Sequence, residues 1–289
     1  MNSYVVITDS AVDISEEMAH ELDLQVIPLS FTIEGKSYQN YLDEREMSTK
    51  EFYQKMREGK TATTAQINTA KFIDIFTPIL ETGKDLLYIA FSSGLSGTYN
   101  ASRLAAEELR LKYPDRKIIT VDSLAASMGQ GLLVYHAVQQ KRAGRSIEEV
   151  AKWVEDNRNL LCHWFTVDDL NHLKRGGRIS SAAALFGTVL GIKPVLHVDN
   201  EGHLIPVAKV RGRRASLDAL ISHMKETITQ PQDQVVFISH GDSPEDAGYV
   251  ADQCKLFGVK DVVVHEIGPV IGAHSGPGTI ALFFLGTHK

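Results

Sequence analysis

The chain has 289 residues, enough for one large domain or two of ordinary size, and its hydrophobic fraction of 43% is typical of a globular protein. Its formal net charge of −6 argues against a nucleic-acid-binding protein. The two cysteines, Cys162 and Cys254, are far apart and form no C-x-x-C motif, so we expect buried thiols in a reducing, cytoplasmic setting.

The first 160 residues alternate strands with helices, which predicts a Rossmann-like parallel sheet covered on both faces. The first strand, residues 4–8, is too short and too uncharged at its start for a signal peptide, and no stretch is apolar enough to span a bilayer. The further predicted elements are a helix capped by Ser15, a strand over Gln25–Ile33, a hairpin turn at Glu34–Lys36, a helix from Ser48 to Gly59, a polar loop over Thr61–Asn68, a helix that ends at Gly83, a strand over Leu86–Phe91, a helix over Ala101–Tyr113, a strand over Lys117–Val121, and helices that end at Gly144 and near Asn159.

Hairpin-joined strands mix with helices after residue 160. This pattern predicts an α+β second domain on a mostly antiparallel sheet, so we expect one domain over 1–160 and another over 161–289. The predicted elements are strands over Leu160–Val167, Lys193–Val198, His203–Val210, Val235–Ser239, Val262–Ile267 and Thr279–Leu285, and helices over Ile179–Leu190, Ser216–Thr227 and Glu245–Phe257.

Three predicted strands of the first domain end in polar pairs, Asp9-Ser10, Ser92-Ser93 and Asp122-Ser123. The carboxyl ends of parallel strands meet at one edge of a sheet, where ligands bind in open α/β folds. The pairs therefore indicate a cleft lined by hydroxyls and carboxylates. Asp and Ser are also favoured helix caps, and that interpretation fits the same positions.

The loop over residues 91–100, F-S-S-G-L-S-G-T-Y-N, lies between a strand and a helix. A helix amino terminus favours an anion, and Gly94 and Gly97 allow close approach of the backbone. The stretch lacks the Lys of a P-loop, and it fits neither G-x-G-x-x-G nor G-x-S-x-G. It is either a small-anion cradle or a serine-rich helix cap, and both interpretations fit the spacing.

Two basic stretches lie in the second half, Lys174–Arg178 and Lys209–Arg214. In an acidic protein such clusters are candidates for binding a phosphate or an acidic partner, although solvated loops have the same pattern. A third glycine-rich loop is predicted over Gly272–Gly278 and contains His274. The histidines show no metal-binding spacing, so we expect no metal.

These motifs resemble those of the DegV family of bacterial fatty-acid-binding proteins. Residues 92–99 are similar to that family's S-S-x-L-S-G-T-Y, and residues 121–131 are similar to its V-D-S…S-M-G-x-G. Residues 173–179 are similar to L-K-x-G-G-R-I, and Thr8-Asp9-Ser10 also fits. One departure is that T-A-Q-I-N, residues 64–68, stands where the family usually has T-S-Q-P-S.

The resemblance implies that a long-chain fatty acid such as palmitate is buried between or within the two domains, without a cofactor. It also implies a non-catalytic lipid carrier that hands the acid to a separate ATP-dependent kinase, with transient membrane contact for lipid exchange. The residues expected at the carboxylate are Thr63, Thr64, Ser92, Ser93, Gly94 and His274. Arginine pairs well with acidic surfaces and phosphoryl groups, so Arg175, Arg178, Arg211 and Arg213 are the expected docking residues for the kinase.

Two other functions compete with the carrier. One is a hydrolase or phosphatase that uses Asp9 or Asp122 as nucleophile, although Asp9-Ser10-Ala11 lacks the second Asp of a D-x-D pattern. The other is a lipid-responsive regulatory module that hands on no substrate.

Overall fold

The computed structural model describes residues 3–180 and 191–289, and the first of its sheets is the predicted parallel one. The strands of this sheet are β1 (Tyr4–Asp9), β2 (Gln25–Ile27), β6 (Asp85–Ala90) and β7 (Ile118–Asp122). They lie in the order β2-β1-β6-β7, and all neighbouring pairs are parallel. Strand β6 is buried along its whole length, which explains its nearly unbroken apolar sequence.

Helices cover this sheet and connect its strands. They are α1 (Glu16–Glu21), α2 (Thr49–Arg57), α3 (Thr69–Glu81), α4 (Thr98–Lys112), α5 (Met128–Arg142) and α6 (Ile147–Asn157). The side chains of Ser15, Ser48, Asn68 and Ser146 each accept a hydrogen bond from a backbone N–H of the first helical turn.

A second, three-stranded antiparallel sheet corrects two predictions. It consists of β3 (Ser30–Ile33), β4 (Lys36–Gln39) and β5 (Ala62–Ala65), in the order β4-β3-β5. The single strand predicted over Gln25–Ile33 is wrong: β2 and β3 belong to different sheets, and Pro28 between them has no N–H for a ladder. The loop predicted over Thr61–Asn68 contains β5, an edge strand that its pairing with β3 stabilises.

The third sheet has six strands and confirms the mostly antiparallel arrangement. Its strands are β8 (Leu161–Thr166), β9 (Ile192–Val198), β10 (Leu204–Arg211), β11 (Val235–His240), β12 (Asp261–Glu266) and β13 (Ile280–Leu285). Their order is β10-β9-β8-β13-β11-β12, and among these described strands only β11 and β12 pair in parallel.

The described residues of the second half form four α-helices. They are α7 (Asn171–Arg175), α8 (Arg213–Thr227), α9 (Pro244–Phe257) and α10 (Pro269–Ser275). The loop predicted over Gly272–Gly278 is wrong in its first half, because α10 starts at Pro269 and ends only before Gly276, which has a φ of 77°. The helix predicted over Ile179–Leu190 falls almost entirely on residues 181–190, outside the described residues.

Helix α5 joins the two halves because it packs against β8, β11 and β13 of the six-stranded sheet. One hydrophobic cluster accordingly includes residues from both sides of residue 160, such as Leu132 and Phe283. The domain boundary near residue 160 stays a prediction. In the part of the chain that the structure describes, no helix has the length and apolar character needed to cross a bilayer.

Gly129 permits this packing and leads to a prediction about stability. A Cβ at Gly129 would lie 2.8 Å from the ring of Phe283, which is fully buried, whereas a Cβ at Gly248 in α9 would have no neighbour within 4 Å. Gly129→Ala should therefore lower the free energy of unfolding by about 1–3 kcal/mol through overpacking. Gly248→Ala should raise it by about 0.5–1 kcal/mol, because alanine is the better helix former. Chemical denaturation of both variants measures the two effects, and equal behaviour would contradict the packing argument.

Candidate ligand-binding site

A cavity of about 280 Å³ lies between the two halves of the chain. Its wall is mostly apolar, and the apolar residues come from the parallel-sheet half, from the six-stranded sheet and from α10. They are Leu29, Ala65, Phe91, Leu95, Ala126, Phe165, Leu173, Leu204, Ile267, Val270, Ile271 and Ala281. The polar residues of the wall are Thr64, Gln66, Ser96, Ser127, His163, Arg178, His274, Ser275 and Thr279. An apolar cavity with a few polar groups is the usual form of a small-molecule site.

Thr64 and His274 form a hydrogen-bonded pair in this wall. Thr64 Oγ1 lies 2.8 Å from His274 Nε2. Thr64 is half-buried, and Thr63, the preceding residue of β5, is exposed because successive side chains of a strand point to opposite faces. The structure therefore brings Thr64 and His274 together and leaves Thr63 outside the cavity.

The backbone of Gly176 supports the ring of His274. A Cβ atom at Gly176 would overlap Nδ1 of His274, so this position requires glycine. Nδ1 is buried and has no hydrogen-bond partner among the described residues. Burial, with a smaller contribution from the positive charge of Arg178, lowers the pKa of His274 to about 4, so the imidazole is neutral at neutral pH.

Arg178 belongs to the cavity wall, although the sequence analysis assigned it to a partner-binding surface. Its Nε donates to the carbonyl of Leu95 at 3.1 Å, and its Nη1 donates to the carbonyl of Gly176. Burial lowers the pKa of Arg178, but a guanidinium stays charged in proteins. Arg178 thus places one positive charge near the Thr64–His274 pair.

The loop that follows β6 contributes Ser96 to the cavity wall, and neither Ser92, Ser93 nor Gly94 lines it. Ser92 is fully buried, and its hydroxyl donates to the carbonyl of Gly202 at 2.9 Å. Ser93 is exposed, and its N–H donates to Asp122 at 3.1 Å. These two serines therefore fix the loop in place.

Ser96 belongs to the L-S-G-T part of the family motif, and the residues expected at the carboxylate did not include it. Its Oγ accepts from the N–H of Thr98 at 3.2 Å and so provides a partner for an N–H group at the start of α4. Ser96 also lines the cavity. The cap residue of α4 is Gly97, so Ser96 supports the first N–H of the helix from one residue before the cap. Its position two residues before the start of α4 is the signal that could have identified it.

The departure from T-S-Q-P-S changes the cavity wall in one place. Ala65, where the family usually has serine, lines the cavity, and Ile67 is buried. Asn68 accepts a hydrogen bond from the N–H of Lys71 at 2.9 Å and caps α3. Asn68 thus caps the helix in this chain, while Ala65 brings no hydroxyl to the cavity wall.

The other predicted arginines differ in their surroundings. Arg213 is half-buried: its Nε lies 2.7 Å from Asp246, and its Nη2 donates to the carbonyl of Gly278. Arg175 is exposed and contacts His172, and Arg211 is exposed at the end of edge strand β10. The fold therefore engages Arg213 internally and leaves Arg175 and Arg211 on the surface.

Asp9 and Asp122 both lie outside the cavity wall. Asp9 is fully buried and accepts from the hydroxyl of Tyr88 at 2.6 Å and from the N–H of Phe91 at 3.1 Å. Burial raises the pKa of Asp9. Asp122 accepts from the N–H groups of Ser93 and Leu124. Both carboxyls stabilise loops at the sheet edge, and neither is placed to attack a molecule in the cavity.

The described ranges, 3–180 and 191–289, contain no group of three or more His, Cys, Asp or Glu side chains that could hold a metal ion. The polar groups of the cavity are hydroxyls, imidazoles, an amide and a guanidinium. All of them can donate hydrogen bonds, as an anionic ligand requires.

Comparison with known proteins agrees with the resemblance seen in the motifs. The DegV family profile matches residues 3–287. A DegV domain-containing protein of Clostridium perfringens is 48% identical over 290 residues, which cover 100% of this chain and 99% of that protein.

Solved structures of the family have the same fold. A DegV family protein from Thermus thermophilus, described as binding fatty acid, has a TM-score of 0.88 and 30% identity, with 98% of this chain and 99% of that chain covered. A stearic-acid-binding protein from Eubacterium ventriosum has a TM-score of 0.84 and 26% identity, with 97% of both chains covered. Since the family profile spans almost the whole sequence and a full-length relative shares nearly half of its residues, this chain belongs to the DegV family.

Proposed function

We propose that this protein binds a long-chain fatty acid in the cavity and presents the carboxylate to a separate ATP-dependent fatty-acid kinase. The observation that carries the proposal is a largely apolar cavity whose wall includes the Thr64–His274 pair and the charged Arg178. The fatty-acid-binding relatives from Thermus thermophilus and Eubacterium ventriosum support it.

The carboxylate would lie beside Thr64, His274, Ser96 and Arg178. When Nε2 of the neutral His274 carries the proton, it donates to Thr64, and the hydroxyl of Thr64 is then free to donate to the ligand. Ser96 and Arg178 supply further donors, and the bond from a guanidinium to a carboxylate is charge-assisted and comparatively strong. The charged ligand would thus exchange its water for several donors.

The hydrocarbon tail would supply most of the affinity. Burial of each methylene contributes about 0.8 kcal/mol, so a palmitate-length tail contributes on the order of 10 kcal/mol before ordering costs. Apolar side chains from both halves of the chain, such as Leu95 and Phe165, face this space.

A fatty acid should therefore accompany the protein through purification. Native mass spectrometry of the purified protein, followed by lipid extraction, should show one long-chain acid for each chain. Calorimetry with palmitate or oleate checks the same point on delipidated protein. Protein that is empty as purified and also binds neither acid would contradict the proposal.

Thr64 leads to a second prediction about binding. Thr64→Val keeps the shape of the side chain and removes the hydroxyl, so it should weaken binding of a free acid by roughly 1.5–3 kcal/mol, the usual contribution of a hydrogen bond to a charged group. The methyl ester of the same acid should be affected much less. Thr287→Val, an exposed change that lies outside the cavity wall, is the matched control and should bind like the wild type. Equal losses for acid and ester would show that Thr64 shapes the cavity and does not recognise the charge.

In the proposed complex the carboxylate end would lie close to the protein surface, as delivery to a kinase requires. A second cavity of about 230 Å³ also contains Thr64, Arg178 and His274, and Arg175 borders it. Because Arg178 lines the cavity and Arg213 pairs with Asp246, we assign kinase docking to Arg175 and Arg211. A kinase that consumes ATP places the carrier in the cytoplasm, and lipid loading there requires transient contact with a membrane.

The exposed arginines give a prediction about transfer. Arg175→Ala and Arg211→Ala should leave fatty-acid affinity unchanged and lower the rate of acyl-phosphate formation by the cognate kinase. Added salt should weaken the wild-type reaction in the same direction, since exposed charges are screened. Arg145→Ala, an exposed change in the turn between α5 and α6, is the control and should transfer normally. Full turnover by the two test variants would show that these arginines are ordinary solvated surface residues without a docking role. If even the wild-type protein supports no acyl-phosphate formation, the result favours the regulatory module.

A further inference from the structure

His163 is a polar residue in the cavity wall that binding of a carboxylate does not explain. Its side chain is 4% exposed and lines the cavity. Neither ring nitrogen has a hydrogen-bond partner within residues 3–180 and 191–289, and Nδ1 is enclosed by protein. A buried polar group without a partner is costly, so an apolar residue would be the cheaper choice here.

His163 lies away from the Thr64–His274 pair. On β8 it pairs with Phe283, whereas Thr166, at the other end of the strand, pairs with Ile280. His274 precedes β13 and Arg178 follows β8, so both approach the cavity from the Thr166 end of these antiparallel strands. Three residues of strand separate His163 from that end, which is about 10 Å. The wall between the two polar regions includes the apolar Phe165 and Ala281.

A second polar group, Ser127, lies on the α5 side of the same cavity. Its hydroxyl donates to Asp13 at 2.6 Å and lies 2.9 Å from the hydroxyl of Ser239. Ser127 has a φ of 54°, and this conformation holds it at the start of α5. Because the proton of Ser127 goes to Asp13, its oxygen accepts from Ser239 and keeps one lone pair for a further donor. Gly129 lies two residues after Ser127, and a Cβ atom there would lie 3.5 Å from Nδ1 of His163. The start of α5 is therefore next to the ring of His163.

These two groups match the hydrogen-bonding capacity of an alcohol. Burial lowers the pKa of His163 well below its usual range, so the ring is neutral and has one donor and one acceptor. A hydroxyl group also has one donor and accepts through its oxygen. A methylene at the same place would leave the imidazole unpaired.

We propose that His163 and Ser127 form a second polar subsite, which receives a hydroxyl group carried on the hydrocarbon chain of the ligand. The preferred ligand class is then a hydroxylated long-chain fatty acid, with its carboxylate at the Thr64–His274 pair. This inference rests on the proposed function and specifies its ligand.

Calorimetry of the delipidated full-length protein tests the subsite with stearate and a series of hydroxystearates whose hydroxyl moves from mid-chain toward the methyl end. At least one isomer should bind the wild type as tightly as stearate or more tightly. His163→Phe should weaken that isomer about tenfold or more relative to stearate, because a buried hydroxyl then loses its partner. His163→Gln, which keeps a donor and an acceptor, should retain part of the preference.

Phe165→Leu is the matched control, because it lies on the same face of β8 and should change the affinities for stearate and hydroxystearate alike. If every isomer binds the wild type more weakly than stearate, the cavity has no site for a hydroxyl group on the chain and the inference fails. This result does not depend on the folding of any variant. An unchanged ratio in His163→Phe also overturns it. If neither stearate nor any hydroxystearate binds, the proposed function and this inference fail together, which distinguishes that outcome from a loss of hydroxyl preference alone.

Discussion

Direct contact between the loop that follows β6 and the turn between β9 and β10 encloses the cavity. The hydroxyl of Ser92 donates to the carbonyl of Gly202, and a Cβ at Gly94 would lie 2.8 Å from the backbone of that turn. A Cβ at Gly202 would in turn overlap Ser92. The absence of side chains on both glycines thus allows two backbones from different sheets to touch. As a result Leu95 and Leu204, which follow the two contact points, both line the cavity.

The electrostatic design of the polar end follows from burial. In water a histidine near a carboxylate gains a proton easily, but burial lowers the pKa of His274 to about 4 and keeps the ring neutral. Among the described residues of the wall, Arg178 is then the one side chain with a permanent charge. One guanidinium opposite one carboxylate balances the charge of the proposed complex, while Thr64 and His274 provide direction. A second positive charge in the wall would remain uncompensated and costly.

The sequence predicts the fold well where periodicity and burial agree. The apolar run of β6 and the alternation of strands and helices identify the parallel sheet, and the hairpin of β9 and β10 identifies the antiparallel one. The missed elements depend on tertiary contacts: β5 is a polar edge strand that exists through its pairing with β3, and α10 contains glycine between Pro269 and Gly276.

The candidate site was predictable only in part, for a similar reason. Thr64 and His274 come from distant segments, and the family resemblance, not their spacing, brought them together. A basic run such as Lys174–Arg178 predicts positive charge but does not predict which way each side chain points, so Arg178 was expected on the surface. In the structure its side chain instead contacts the carbonyl groups of Leu95 and Gly176. The strand-end carboxylates suggested chemistry because acids at a sheet edge are common in active sites. In this fold the backbone N–H groups of the same edge need acceptors, and Asp9 and Asp122 supply them.

The proposed complex assigns different energetic tasks to the two kinds of wall. Apolar contacts are non-directional, so they supply affinity without deciding which end of a fatty acid enters first. Hydrogen-bond donors decide the direction, because a carboxylate placed among apolar residues would lose its water without replacement. For the same reason a polar group deeper in the cavity lowers the affinity for an unsubstituted hydrocarbon chain. A chain that carries a hydrogen-bonding group at that place does not suffer this loss. In the proposed complex the imidazole of His163, which has no partner among the described residues, would select the tail in the way that Thr64 and Arg178 would select the end.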